Sequence, residues 1–266
     1  MTTPPLAGQV AVVTGACGRL GPIWCDALLD AGASVVALDL PQAPADSLSG
    51  LKDKAGNRLQ LVRADVLDRP SLVQVRDQCD GDGGTPTILV NNAGIDQPPG
   101  PAVTYRLEDI PLEVFRGVVE VNLLGAFQAI QVFGPGMLRA GKGSIINIGS
   151  LYASVSPDAR FYDHLPADPP FLKPPGYGAS KAALVNLTRY FATHWGPRGV
   201  RVNALSPGGV EAGQDPDFKR KFMARVPLGR MAAAQDLRGP LIFLASDASS
   251  YVTGVELRVD GGFTSW

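Results

Sequence analysis

Short runs of aliphatic and β-branched residues alternate with longer stretches of helical period along the chain. The runs are "VAVVTG" from residue 10, "SVVALDL" from 34, "LQLVRADV" from 59, "TILVNNAG" from 87, "GSIINIGS" from 143, "VRVNALSPGG" from 200 and "GVELRVDGG" from 254. Between them the spacing of apolar positions predicts helices over 21–31, 48–54, 69–79, a long pair over 112–139, then 177–195 and 234–245. Strand-helix-strand units of this length predict a parallel sheet with helices on both faces, and the nearly continuous apolar runs suit strands buried on both sides. The expected fold class is α/β, a doubly wound, Rossmann-type, mostly parallel sheet of seven strands. No linker or composition shift marks a second domain, so one domain is expected over 1–266. Two segments break the rhythm, "DQPPGPAVTY" at 96–105 and the proline-rich stretch at 156–176. Proline removes backbone donors and opposes both helix and inner strand, which places these segments in loops at the rim.

Composition narrows the class. The 266 residues are 45% hydrophobic and 18% charged, enough for a large core, and the net charge of -1 leaves no basic field for nucleic acid or an anionic membrane. Cys17, Cys25 and Cys79 show no paired spacing, and with only His164 and His194 beside them no metal motif can be assembled. The first ten residues have no basic segment followed by an apolar core. Reduced thiols, a cytoplasmic setting and a small-molecule substrate are therefore expected, with no metal, nucleic acid or membrane partner.

The turn after the first apolar run reads G15-A-C-G18-R-L-G21. Glycines there allow a sharp turn and let a pyrophosphate approach the N–H groups opening a helix, where the dipole favours anions. Asp39 closes the second strand 18 residues beyond Gly21, where a carboxylate can accept hydrogen bonds from an adenosine ribose. Leu40 and Pro41 follow, with no Arg or Lys to welcome a 2′-phosphate, so NAD is expected over NADP. Arg19 is either an exposed helix residue or a neighbour of the pyrophosphate.

Tyr177 and Lys181 lie four apart on a predicted helix and share one face. A phenol with a pKa near 10 is a poor base at neutral pH, and a neighbouring ammonium favours its ionised form. The pair therefore predicts an activated tyrosine.

"TGACGRLG", Asp39, "ADV" at 64–66, "NNAG" at 91–94, Asn122, Ser150, "YGASK", "RVNALSPGGV" and the terminal "VDGG" stand in an order that resembles the short-chain dehydrogenase/reductase family over about residues 6–263. The resemblance implies that Gly15, Gly18, Arg19, Leu20, Gly21, Asp39 and Leu40 line the adenosine and pyrophosphate half of the cofactor. By the same resemblance Asp65 and Val66 hold the adenine ring, Asn92, Ala93 and Gly94 line the nucleotide, and Pro207, Gly208 and Val210 face the nicotinamide. Tyr177 would be the general acid/base, Ser150 its partner on the substrate oxygen, Lys181 the group that binds the nicotinamide ribose and lowers the tyrosine pKa, and Asn122 the holder of a water in a proton relay. Two departures from the family pattern stand out. Arg19 occupies a position usually small, and Ser150 and Tyr177 are 27 apart, about twice the usual separation.

The surplus is the proline-rich insertion. Rim segments at about 151–176 and 208–232 should therefore frame the substrate, the first offering Tyr152, Arg160, Tyr162, Asp163 and His164. Any one of these, taken singly, is better explained by a solvated surface or a subunit contact. Lys219, Arg220, Lys221 and Arg225 in the second segment read first as a solvated helix face. "SLYASVSPDARFY" resembles a branch of the family acting on sugars. The expected reaction is NAD-dependent interconversion of a secondary alcohol and a ketone on a sugar, sugar acid or polyol. A ketoreductase for an acyl or small cyclic ketone, and a non-catalytic dinucleotide-binding scaffold, are the alternatives. The resemblance also implies a homo-oligomer, a tetramer or dimer built through the helices at 112–139 and 177–195.

Overall fold

The computed structural model describes residues 3–82, 84–97 and 104–266. Seven strands form one parallel sheet: β1 (Val10–Thr14), β2 (Ser34–Asp39), β3 (Leu59–Arg63), β4 (Ile88–Asn91), β5 (Gly143–Ile148), β6 (Val200–Pro207) and β7 (Glu256–Val259), in the order β3-β2-β1-β4-β5-β6-β7. Every residue of β1, β4 and β5 is buried, which explains their unbroken apolar runs. The strands end earlier than the apolar runs: β3 stops at Arg63 and β4 at Asn91, leaving Asp65 and Asn92–Gly94 in loops beyond their carboxyl ends. The chain order reverses between β1 and β4, the switch point where open sheets of this kind form a crevice.

The helices among the described residues are α1 (Gly21–Asp30), α2 (Asp46–Ala55), α3 (Arg69–Asp82), α4 (Leu112–Val119), α5 (Ala126–Ala140), α6 (Pro175–Trp195), α7 (Pro216–Met223) and α8 (Ala234–Ala245). One face of the sheet packs Val13, Val90 and Ile148 against Trp24 and Leu28 of α1 and Leu241 of α8. The other packs Val12, Leu89 and Ile145 against Leu72 of α3, Ile130 and Phe133 of α5 and Phe191 of α6. Residues 112–140 are continuously helical for 29 residues; an 18-residue window within them reaches a mean hydropathy of 1.3, and half of that window is buried within the fold. The expected helix pair is in fact α4 and α5 joined through a π-turn, Glu120–Gly125, which swings Asn122 into full burial. The loop expected at 96–105 lies largely outside the described residues, from 98 to 103.

Both rim segments are present. A third apolar cluster, Leu151, Phe161, Tyr162, Phe222, Val226, Met231 and Phe263, joins the proline-rich insertion to α7 and the segment after it. Two ion pairs fasten the same junction, Arg225 to Asp158 at 3.1 Å and Lys221 to Asp163.

Candidate active site

The loops leaving the carboxyl ends of the strands converge on a cavity of about 1060 Å³ that runs from Asp39 to the rim. At the Asp39 end it is built of backbone. Gly15 has φ +63°, and a Cβ there would lie 2.7 Å from Ala93 Cα; a Cβ at Gly21 would lie 2.3 Å from the Ala16 carbonyl oxygen. Gly18 completes the turn by donating its N–H to Gly15 O at 3.2 Å. Asn92 locks this turn to its neighbours: its amide donates to Thr14 O (3.0 Å) and Gly15 O (2.8 Å), and its Oδ1 accepts from Trp24 Nε1 (2.8 Å). Leu20 is the N-cap of α1 and supplies no side-chain cap; Pro22 carries no N–H and the Ile23 and Trp24 N–H groups donate to Leu20 O at 3.0 and 3.2 Å, so the helix starts tightly at the turn with its positive dipole end toward it.

Asp39 Oδ2 accepts from the Cys17 N–H at 2.6 Å and Oδ1 from the Leu40 N–H at 2.8 Å, which aims the carboxylate over the glycine turn. Asp65 Oδ1 accepts from the Leu67 N–H at 2.8 Å, and buried Val66 is seated where Gly125 leaves space. A backbone cradle at a helix N-terminus, an acceptor for a ribose and a long cleft between them fit a dinucleotide.

Arg19 is resolved as well. Its Nη2 donates to the Val210 carbonyl at 2.5 Å, so the glycine loop is tied across the cleft to the start of the second rim segment. Gln214 Nε2 donates to the same oxygen at 2.7 Å. The local reading of Leu40 and Pro41 missed a cation: strand register pairs Asp39 with Arg63, whose Nη1 donates to Leu40 O and Ala43 O at 2.9 Å each. No local pattern around Asp39 carries that signal, because it comes from the neighbouring strand.

At the other end stand three of the four expected reacting residues, Ser150, Tyr177 and Lys181, while Asn122 is fully buried outside the cavity lining. Ser150, extended at the end of β5, is buried and accepts the Tyr152 N–H at 3.2 Å. Pro175, at the first position of α6, fixes the start of the helix that carries Tyr177 and Lys181. Lys181 is buried and donates to Ile148 O at 2.7 Å, and burial brings its pKa down to about 8. Its Nζ lies 5.7 Å from the Tyr177 ring centroid. The expected lowering of the Tyr177 pKa is not found. Burial pushes the phenol above its ordinary value, with the Asp96 charge adding to the rise and a Ser150 hydrogen bond opposing it. Asn122 Oδ1 accepts the Ile95 N–H at 2.8 Å, and its amide donates to Ile95 O and to Ser180 Oγ at 3.1 Å each. It braces the loop after β4 against α6. Pro207 ends β6, and Gly208 lies so close to Asp260 that a Cβ would sit 2.7 Å from its Cα.

The rim sorts the expected substrate residues. Tyr152, Tyr162 and His164 line the cavity. Tyr152 meets the Tyr177 ring edge-on at 6.5 Å, Tyr162 stacks on Phe218 at 5.4 Å, and burial pushes the Tyr162 phenol up to about 12. His164 Nε2 lies 2.8 Å from Asp215 Oδ1, and its Nδ1 lies 3.1 Å from Lys221 Nζ. Arg160 does not join them. Its side chain is 79% exposed and held by Asp158 at 2.7 Å, because the single helical turn Ala159–Phe161 points Phe161 inward and Arg160 out. The basic residues of α7 and Arg225 just beyond it are all paired, Lys219 with Glu211 and Arg220 with Asp217 besides the two ties to the insertion. Lys173 and Asp96 were missed. Both line the cavity, and Lys173 Nζ lies 5.3 Å from the Tyr177 ring centroid. A signal was available, since Lys173 precedes Tyr177 by the same four residues by which Lys181 follows it.

Residues 20–264 match the sequence profile described as enoyl-(acyl carrier protein) reductase. The chain is 35% identical to a cis-4-hydroxycyclohexanecarboxylate dehydrogenase of Sinomonas cyclohexanicum, covering 97% of this chain and 98% of that protein. The chain belongs to the short-chain dehydrogenase/reductase family. It is also 32% identical to a galactitol 2-dehydrogenase of Rhizobium johnstonii, covering 98% of this chain and 97% of that one. Among solved structures, a short-chain dehydrogenase from Leptospira borgpetersenii with bound NAD+ superposes with a TM-score of 0.84 at 34% identity, covering 98% and 95% of the two chains. A gluconate 5-dehydrogenase from Burkholderia cenocepacia in complex with NADP and tartrate superposes at 0.85 with 30% identity, covering 99% and 98%. As a member of the short-chain dehydrogenase/reductase family, the protein is an oxidoreductase acting on CH–OH groups through an NAD(P)-binding fold, not a scaffold without turnover.

Proposed function

We propose that the protein interconverts a secondary alcohol and a ketone with NAD preferred over NADP, that Tyr177 carries the proton, and that the substrate is a sugar, sugar acid or polyol. The observation that carries this reading is the meeting of Ser150, Tyr177 and Lys181 in the same cavity as the glycine turn. When bound, the nicotinamide supplies the hydride acceptor or donor. Tyr177 Oη takes the hydroxyl proton as the carbon–oxygen double bond forms, and returns it in the reverse direction. The Ser150 hydroxyl donates to the substrate oxygen and holds it in place. Because burial raises its pKa, Tyr177 holds its proton, which suits it to protonate a ketone oxygen. For alcohol oxidation the phenolate must be stabilised by a nearby cation, and the Lys181 ammonium is within reach of the ring to do so. NAD preference is supported by the Asp39 carboxylate, which would repel a 2′-phosphate, while Arg63 is already committed to two backbone carbonyls.

The relatives that act on galactitol and gluconate support a polyhydroxy substrate. A small cyclic alcohol is the second reading, favoured by the aromatic walls Tyr152, Tyr162 and Phe218. A homo-oligomer is supported by Leu112 and Tyr190, large apolar residues left 62% and 60% exposed on α4 and α6. Sedimentation showing only monomer at micromolar concentration would remove that reading. For the chemistry, Tyr177→Phe should lower kcat/KM for NADH formation by about 10²–10⁴-fold with the fold intact by circular dichroism. Turnover surviving at the wild-type rate would end the assignment of Tyr177.

A further inference from the structure

Lys173 belongs to the proline-rich insertion, and the proposed proton transfer has no need of it. Its side chain is only 6% exposed, and its Nζ lies 2.7 Å from Asp96 Oδ1 and 2.8 Å from Oδ2. The rings of Tyr152 and Tyr177 flank the ammonium at 5.6 Å and 5.3 Å. Pro174 and Pro175 follow Lys173 directly, so its backbone is held extended at the threshold of α6. Taking a lysine out of water is costly, and apolar packing closes a rim as well as a buried ion pair does. A pair retained beside the reacting tyrosine therefore points to recognition.

We propose that the Lys173–Asp96 pair binds hydroxyl groups on carbons next to the reacting one, which makes the substrate a neutral polyol or sugar and not a hydroxy acid. This rests on the dehydrogenase reading of the same cavity. Asp96 lines that cavity with 42% of its side chain exposed; its Oδ1 also accepts the Gln97 N–H at 2.8 Å, which leaves a lone pair of Oδ2 to accept from a substrate hydroxyl. An ammonium has three N–H donors, and contact with two carboxylate oxygens leaves one to donate to a neighbouring hydroxyl. Adjacent hydroxyls offer that combination of donor and acceptor. A substrate carboxylate would add a second negative charge beside Asp96. The rim cations would not offset it, because Lys173 is already paired with Asp96 and Lys221 with Asp163.

The test compares initial rates of NAD(P)H formation from galactitol, D-threitol, gluconate and cyclohexanol for wild type, Asp96→Asn and the double variant Asp96→Asn with Lys173→Met. Asp96→Asn is near-isosteric at a half-exposed position and keeps the test available if the double variant unfolds. The expected result is that the ratio of kcat/KM for the better polyol to that for cyclohexanol falls at least about 30-fold in the double variant, chiefly through KM, and about 10-fold in Asp96→Asn. Gluconate should be the poorer substrate in wild type and should gain relative to the polyols when Asp96 loses its charge. A ratio unmoved within about 3-fold overturns the proposal, as does a wild type that oxidises cyclohexanol but neither polyol. A wild type that prefers gluconate, with the preference lost in the double variant, overturns it in favour of a carboxylate anchor. A wild type that oxidises none of these alcohols removes the sugar or polyol reading and the inference together.

Discussion

At the Asp39 end of the cavity the wall is backbone: Gly15 and Gly21 approach Ala93 and Ala16 too closely for any side chain to intervene. At the rim end the wall is side chain, with Phe161 meeting Phe218, Phe222 and Phe263 at ring distances of 6.1, 5.7 and 6.3 Å and charged ties holding the insertion to α7. A backbone wall has no rotamers to rearrange and suits a ligand that never changes. A side-chain wall can be redrawn by one substitution without touching the sheet, which suits the part of the site that chooses a substrate. The difference also separates what each end risks: the first loses the fold with the ligand, the second loses selectivity alone.

The sharpest break of that contrast is Gly21→Ala. Its Cβ would press on the Ala16 backbone at 2.3 Å, and the expected cost is about 3 kcal/mol of stability with loss of cofactor binding. Thermal unfolding and NADH fluorescence titration read both, and an unchanged Tm would mean that the turn is not as tight as the contact requires. Phe161→Ala should open the rim, with a local cost of about 3 kcal/mol. Because the rim cluster is separate from the two clusters on the sheet, the substrate KM should rise about 10-fold while the cofactor Kd stays within about 2-fold. A matching loss of cofactor affinity would show the two ends to be one unit.

Arg19→Ala tests the link between the ends. Removing the exposed donor to Val210 O should cost about 1 kcal/mol, seen as roughly 5-fold higher KM values for cofactor and substrate together. A rise in one KM alone would place Arg19 on that end only. The smallest effect belongs to Asp158→Asn. The Arg160 guanidinium, with Arg225 beside it, holds the Asp158 carboxyl below the usual carboxylate range. A depressed folded-state pKa contributes stability that is full above the unfolded value near about 3.9 and fades as pH falls below it. Asp158→Asn should therefore cost at most about 1 kcal/mol at pH 7 and progressively less toward pH 3, measured as the difference in denaturant midpoint from wild type. A difference that grows on acidification would contradict the assigned cause.

The doubly wound sheet, the glycine turn with Asp39, and the pairing of Tyr177 with Lys181 were legible along the chain because each rests on local spacing: the period of buried strands, a turn that only glycine permits, one turn of helix. Asn122 was visible as a residue but not as a brace, since the π-turn that buries it shows in no propensity. Arg160 looked like a rim ligand and is turned to solvent by a single short helical turn.

By itself, then, the sequence determined the order of the elements and the chemistry available at the strand ends, because periodicity and glycine placement act over a few residues. Only the tertiary structure decided what those groups experience. The register of β2 on β3 brings Arg63 beside Asp39. Folding of the insertion sets Lys173 on Asp96, 77 residues away, beside the Tyr177 ring. The acid strength of that tyrosine follows from burial, the Asp96 charge and a Ser150 hydrogen bond, and a pKa is a property of the surrounding dielectric and field, which no local pattern contains.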